Sequence, residues 1–153
     1  MKRLFIIGLL VVLVVIQFIR PEENLGEAEG NTDITHYMNV PENVMLTLRS
    51  SCYDCHSNRT NYPWYSKVNP VGWWLNHHIE EGKGELNFSD FSNYDVKQID
   101  HKLEEIAEEV KEGNMPLSSY TLIHRDVILS DEQIKMLSDW VNTERQQLDV
   151  PQE

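Results

Sequence analysis

Apolar residues fill Leu4 to Ile19 with only Gly8 and Gln17 interrupting, and Lys2 and Arg3 stand before them. A helix of that length rises roughly 24 Å, short of a bilayer core but workable if Gln17 and the flanks snorkel. No small-x-small cleavage site follows, so the pattern predicts an uncleaved signal anchor over residues 1–20, meeting lipid through residues 4–19. A cleaved signal peptide is the competing reading. Lys2 and Arg3 favour a cytoplasmic N-terminus, which puts the remainder in the periplasm of a bacterium, outside a single-pass span. Residues 21–39 are rich in Glu, Gly and Asn and have no apolar period. They read as a flexible tether.

From residue 40 the periods become helical. Val40-Pro41-Glu42 opens a short helix whose Val44, Met45 and Leu48 share one face and lead into Ser51-Cys52. Pro70 opens a second helix and Gly82 closes it, with Val71, Trp74, Leu75, His78 and Ile79 on one side. Val96, Ile99, Leu103, Ile106 and Val110 mark the clearest helix, begun by Asp95 and Gln98 as a capping box and ended at Gly113. Ser130-Asp131-Glu132-Gln133 caps the last helix, whose apolar side is Ile134, Leu137, Trp140 and Val141. Trp140 then packs on the helix at 41–51 or on the edge of a cofactor. No strand-like alternation lasts, and no repeat is visible. The chain therefore reads as an all-α domain over residues 40–145 with a polar tail, 146–153.

Charge narrows the partners. There are 25 acidic residues against 13 basic ones, and Lys2, Arg3 and Arg20 lie in the first twenty positions. The acidic remainder argues against nucleic acid and against anionic lipid as a partner of the domain. It either keeps the domain soluble or docks it on a basic patch of a partner protein.

The candidate chemistry centres on Cys52-Tyr53-Asp54-Cys55-His56, which holds both cysteines of the 153-residue chain. C-x-x-C-H is the spacing by which two thiols add to the vinyl groups of a haem, leaving the next histidine to ligate the iron. A redox dithiol, half a zinc site and a plain disulfide compete, but there is no β-α-β setting, no second Cys pair and little chain to staple. Met115, fixed by Pro116, is the leading sixth ligand, since a thioether is a soft neutral donor; His78 is the alternative. Trp64, Tyr65, Trp73 and Trp74 are expected as core or as walls of the cofactor site.

Around the pentad, Pro63-Trp64-Tyr65, His78, Leu86-Asn87-Phe88-Ser89, Met115-Pro116, Tyr120, His124 and Leu129-Ser130-Asp131 resemble the small haem-binding domain family over roughly residues 40–145. The order of pentad, late Met-Pro and capped final helix is also similar to class I c-type cytochromes. The resemblance implies a cytochrome c-like fold around one covalent haem c, with thioethers at Cys52 and Cys55, His56 as proximal iron ligand and Met115 as distal ligand. It departs from that class where Val44, Met45 and Leu48 replace the usual Gly and aromatic of the first helix. The expected role is an electron carrier between redox partner proteins, with no catalytic residue. The alternatives are a peroxidase-like enzyme using His77, His78 or His124 as distal group, or a gas or redox sensor with a displaceable sixth ligand.

Overall fold

The computed structural model describes residues 1–148. In chain order these form α1 (Lys2–Val15), α2 (Glu42–Ser51), α3 (Tyr53–His56), α4 (Val71–Glu85), α5 (Val96–Glu112), α6 (Ser118–Thr121) and α7 (Asp131–Gln147), with 3-10 turns between. Among the described residues the architecture is all-α, with one isolated bridge between Leu25 and Arg59.

Both expected capping boxes are made. The Asp95 carboxylate accepts from Gln98 N while the Gln98 side chain accepts from Asp95 N, and Ser130 and Gln133 repeat the exchange at the start of α7. Gly113 ends α5 in the left-handed region at φ 75°, where a side chain would be strained. The main core joins α2, α5 and α7 through Val44, Met45, Leu48, Leu103, Val110, Leu137 and Val141. Burying each such side chain contributes about 1.5–3 kcal/mol. Trp140 packs here too and donates its indole N–H to Asn39 O at 3.1 Å. It lines neither cavity described below.

The N-terminal segment has a shorter helix and is more closely packed than its sequence pattern suggests. α1 stops at Val15, and no helix among the described residues is long and apolar enough to cross a membrane. The helix ends because Ile16–Phe18 turn and the backbone there is taken by the domain: Asn69 Nδ2 donates to both Ile16 O and Ile19 O. The expected tether, 21–39, is not free chain but a strap laid over the domain. Asn24 bonds Tyr62, Ser57 and Thr60, and Glu29 pairs with Arg49. Thr32 donates to Ser89 O, and fully buried Asp33 accepts from Tyr53 Oη at 2.8 Å. The packed body thus starts upstream of residue 40. At the other end, α7 runs through Gln147, so the expected tail begins inside a helix; residues 149–153 lie outside the described residues.

α4 also differs. It continues past Gly82 to Glu85, and its buried face is Gly72, Leu75, Asn76 and Ile79. Val71 and Trp74 are exposed and His78 is half-buried. The helix is turned this way because Leu75 and Ile79 form a small second core with Tyr65.

Candidate functional site

The pentad is built by a break. α2 ends at Cys52, whose φ of −126° and ψ of −41° turn the chain into the single helical turn of α3. The amides of Cys55 and His56 both donate to Cys52 O, at 3.1 and 2.9 Å. α4 lies hard against this turn at Gly82, where a Cβ would stand 3.1 Å from Cys55 O and 3.4 Å from His56 Cε1. Asp54 is held from three sides. Its Oδ1 accepts from Asn61 N at 3.0 Å, its Oδ2 from Tyr120 Oη at 2.8 Å, and its carbonyl from Thr60 Oγ1 at 2.6 Å.

Two cavities of about 360 and 290 Å3 open beside the turn and share Ser51, Cys52, His56, Glu85, Met115 and Pro116 as walls. Leu86, Phe88, Glu105, Ile106, Glu109 and Val110 complete the first; Cys55, His78, Leu117 and Tyr120 stand among the walls of the second. A pair of such volumes falls within the range of about 300–1,000 Å3 typical of cofactor sites. A larger space of about 520 Å3 beside the strap is walled by Glu, Asn, Gly and Lys83 and has no Cys, His or Met.

His56 is oriented by backbone. Its Nδ1 lies 3.0 Å from Leu86 O, and because a carbonyl only accepts, Nδ1 carries the proton and Nε2 keeps its lone pair. Burial lowers its pKa despite the backbone bonds, so the ring is held neutral, as a metal ligand must be. Phe88 meets the ring edge-on and itself stacks on Tyr53 at 5.2 Å. Cys52 and Cys55 are free thiols. Burial pushes Cys52 up to about 12 and Cys55 up to about 11, the second aided by the Asp54 carboxylate. Among the described residues no cluster of three His, Cys, Asp or Glu is placed to hold a bare metal ion.

The structure therefore brings Cys52, Cys55, His56, Met115 and His78 to the walls of two adjoining cavities. Met115 lines both cavities, whereas His78 lines the second alone and has its Nδ1 3.5 Å from Glu81. His77 faces solvent beside Glu81, and His124 bonds Tyr65 Oη at 2.7 Å; neither lines the site. Nor do Trp64, Tyr65, Trp73 and Trp74. Trp64 is 79% exposed, and the walls come from Leu86, Phe88, Ile106, Val110, Leu117 and Tyr120 instead.

A family model described as a haem-binding domain matches residues 11–143. The chain belongs to the haem-binding domain family. No curated protein and no solved structure matches it. The match to the haem-binding domain takes in the strap as well as the helices, in keeping with how 24–38 pack. The side chains fit the group. A neutral imidazole with a free Nε2, two thiols and a thioether surround a largely apolar space, which is the donor set of a covalently held haem. Sequence reasoning missed Leu86 O, Gly82 and the Asp54–Tyr120 bond. A backbone carbonyl leaves no mark in a sequence, and Gly82 was read as a helix end although it marks a close approach.

Proposed function

We propose that this haem-binding domain is a monohaem c-type cytochrome that carries electrons between redox partner proteins outside a bacterial cytoplasmic membrane. The observation that supports this best is the shared wall of the two cavities, where Cys52, His56 and Met115 meet and Leu86 O fixes the His56 tautomer. In this reading Cys52 and Cys55 would hold the ring as thioethers, and His56 Nε2 and Met115 Sδ would be the two protein donors to the iron. Bound haem supplies a one-electron Fe(II)/Fe(III) couple. The chain does the rest. Leu86 O keeps the His56 proton on Nδ1, Phe88, Ile106 and Val110 exclude water, and the neutral thioether of Met115 raises the potential. Carboxylates on the surface guide a basic partner.

An enzyme with an open sixth position would need a distal acid–base group. Of the histidines weighed, only His78 lines the space, so that second reading rests on it alone.

Optical spectra of protein made in cells that mature c-type haem test the proposal. The expected result is a low-spin reduced spectrum unchanged by carbon monoxide, with a weak Met-to-ferric-iron band. Met115→Ala should abolish that band, lower the potential and open the iron to carbon monoxide, while His78→Ala changes none of the three. Carbon monoxide binding to the unaltered protein would move the assignment to the enzyme or sensor. Absence of covalent haem would end it.

A further inference from the structure

The foot of α1 is clasped to the domain by a set of amide contacts. Gln17 Nε2 donates to Asn69 O at 3.0 Å and Asn69 N donates back to Gln17 Oε1 at 2.9 Å. Asn69 Nδ2 holds the carbonyls of Ile16 and Ile19, and Trp73 Nε1 donates to Ile19 O at 2.6 Å. The clasp joins two stretches that are far apart in sequence and alike in character. α1 buries none of its side chains, and its large apolar residues are 41–76% exposed. Next to Asn69 the domain exposes Val68, Val71 and Trp74, with Trp64 a few residues earlier and Phe18 on the α1 side.

Charge divides along the same line. Residues 1–20 and 64–75 contain Lys2, Arg3, Arg20 and Lys67 and not one Asp or Glu, although the chain has 25. An exposed apolar patch of this kind marks an interaction surface. Tryptophans with an apolar ring and one polar N–H settle at the water–lipid boundary, where basic side chains also sit comfortably. A second protein of basic charge would choose the acidic remainder; a Trp-bearing end clasped to an all-apolar helix, where Glu23 beside Asn69 is matched by Arg20 lining the same hollow, suits lipid.

We propose that this end is a lipid-docking face: α1 dips into a bilayer, Trp64, Val68, Val71 and Trp74 rest in its interface, and the Gln17–Asn69 clasp holds the domain at a fixed attitude. Fourteen helical residues rise about 21 Å, so that Lys2 and Arg3 at the inserted tip reach the far headgroups along their long side chains. The inference does not depend on which ligand occupies the sixth iron position or on the carrier role.

The test is hydroxyl-radical footprinting of the full-length haem-loaded chain bound to phosphatidylcholine vesicles containing a minority of phosphatidylglycerol. Labelling is read by mass spectrometry and normalised to the unfolded chain. Trp64 and Trp74 should label several-fold more slowly than Leu122 and Ile123, which are exposed elsewhere on the domain. Gln17→Ala/Asn69→Ala/Trp73→Phe, which removes every side-chain bond of the clasp, should still float with the vesicles, but Trp64 and Trp74 should rise to the rate of Leu122, because α1 stays inserted while the domain swings free. Three results would overturn the proposal. One is fast labelling of Trp64 and Trp74 in the vesicle-bound protein. Another is failure to bind vesicles. The third is protection that grows with the protein-to-lipid ratio in step with cross-linked dimers, which would make a second copy the occupant.

Discussion

Gly82 shows how little room the attachment turn leaves. A Cβ there meets the carbonyl of Cys55, which is fixed backbone, and the edge of the His56 ring. Gly82→Val should therefore destabilise the protein by about 1–3 kcal/mol, the usual cost of overpacking, and reduce the yield of haem-loaded protein. Urea melts and the haem-to-protein absorbance ratio check it; an unchanged melt would mean that α3 moves off α4 freely. Asp33 is the second exposed decision at this scale. Its buried carboxylate accepts from Thr35 N, Thr35 Oγ1 and Tyr53 Oη. Asp33→Ala strands the phenol and should cost about 1–3 kcal/mol, whereas Tyr53→Phe added to it should cost little more, since the group left unpaired is then gone. The sequence announced the pentad because thiols and imidazole are rare and their spacing is chemical. It did not announce Asp33, one acidic residue among many, whose partner lies twenty positions away.

At the scale of elements, α5 and α7 are joined by a fork as well as by their apolar faces. Arg145 Nε and Nη2 donate to the two Asp100 oxygens and Nη1 donates to Glu104. The guanidinium holds the Asp100 carboxyl below its ordinary value, against a smaller effect of burial. A pKa lower in the folded than in the unfolded state adds stability above the unfolded value, about 3.9, and that stability is lost as pH falls through the folded one. Arg145→Gln should thus lower stability by about 1 kcal/mol at pH 7, with the gap to the parent closing on acidification toward pH 3 in thermal melts. A gap that stays constant would mean the arginine acts by packing. These two helices were legible because caps and a 3-4 repeat are local rules. The strap was not, because it has no period: single side chains such as Asn24, Thr32 and Asp33 tie it down, each to a partner distant in sequence. α1 was misjudged in length for the same reason, as Asn69 lies 52 positions beyond Gln17. The face of α4 was misjudged because Val71, Trp74, Leu75, His78 and Ile79 fit the helical period, yet its neighbours lie on the side of Gly72 and Asn76.

For the whole molecule, charge and site are separate assets. The chain as a whole carries a net charge of −12, its carboxylates all beyond residue 20, while the cavity walls are mainly apolar. Electron exchange with a cationic small-molecule oxidant should slow as salt rises, and exchange with an anionic oxidant of similar potential should quicken, in stopped-flow traces at 0.01 and 0.15 M ionic strength, where the screening length falls from about 30 to 8 Å. Equal salt slopes would show that the oxidants reach the haem where the local field is neutral. The bonds that close the site also carry a schedule. Synthesis runs from the N-terminus, so His56 emerges 30 residues ahead of the carbonyl that steadies it, and Asp54 precedes the tyrosine that seals it by 66. For that interval the pentad is an open, unguarded ribbon with ordinary thiols, and only later a buried turn with reluctant ones. A cofactor that reached the pentad before this closure would meet thiols that burial has not yet raised.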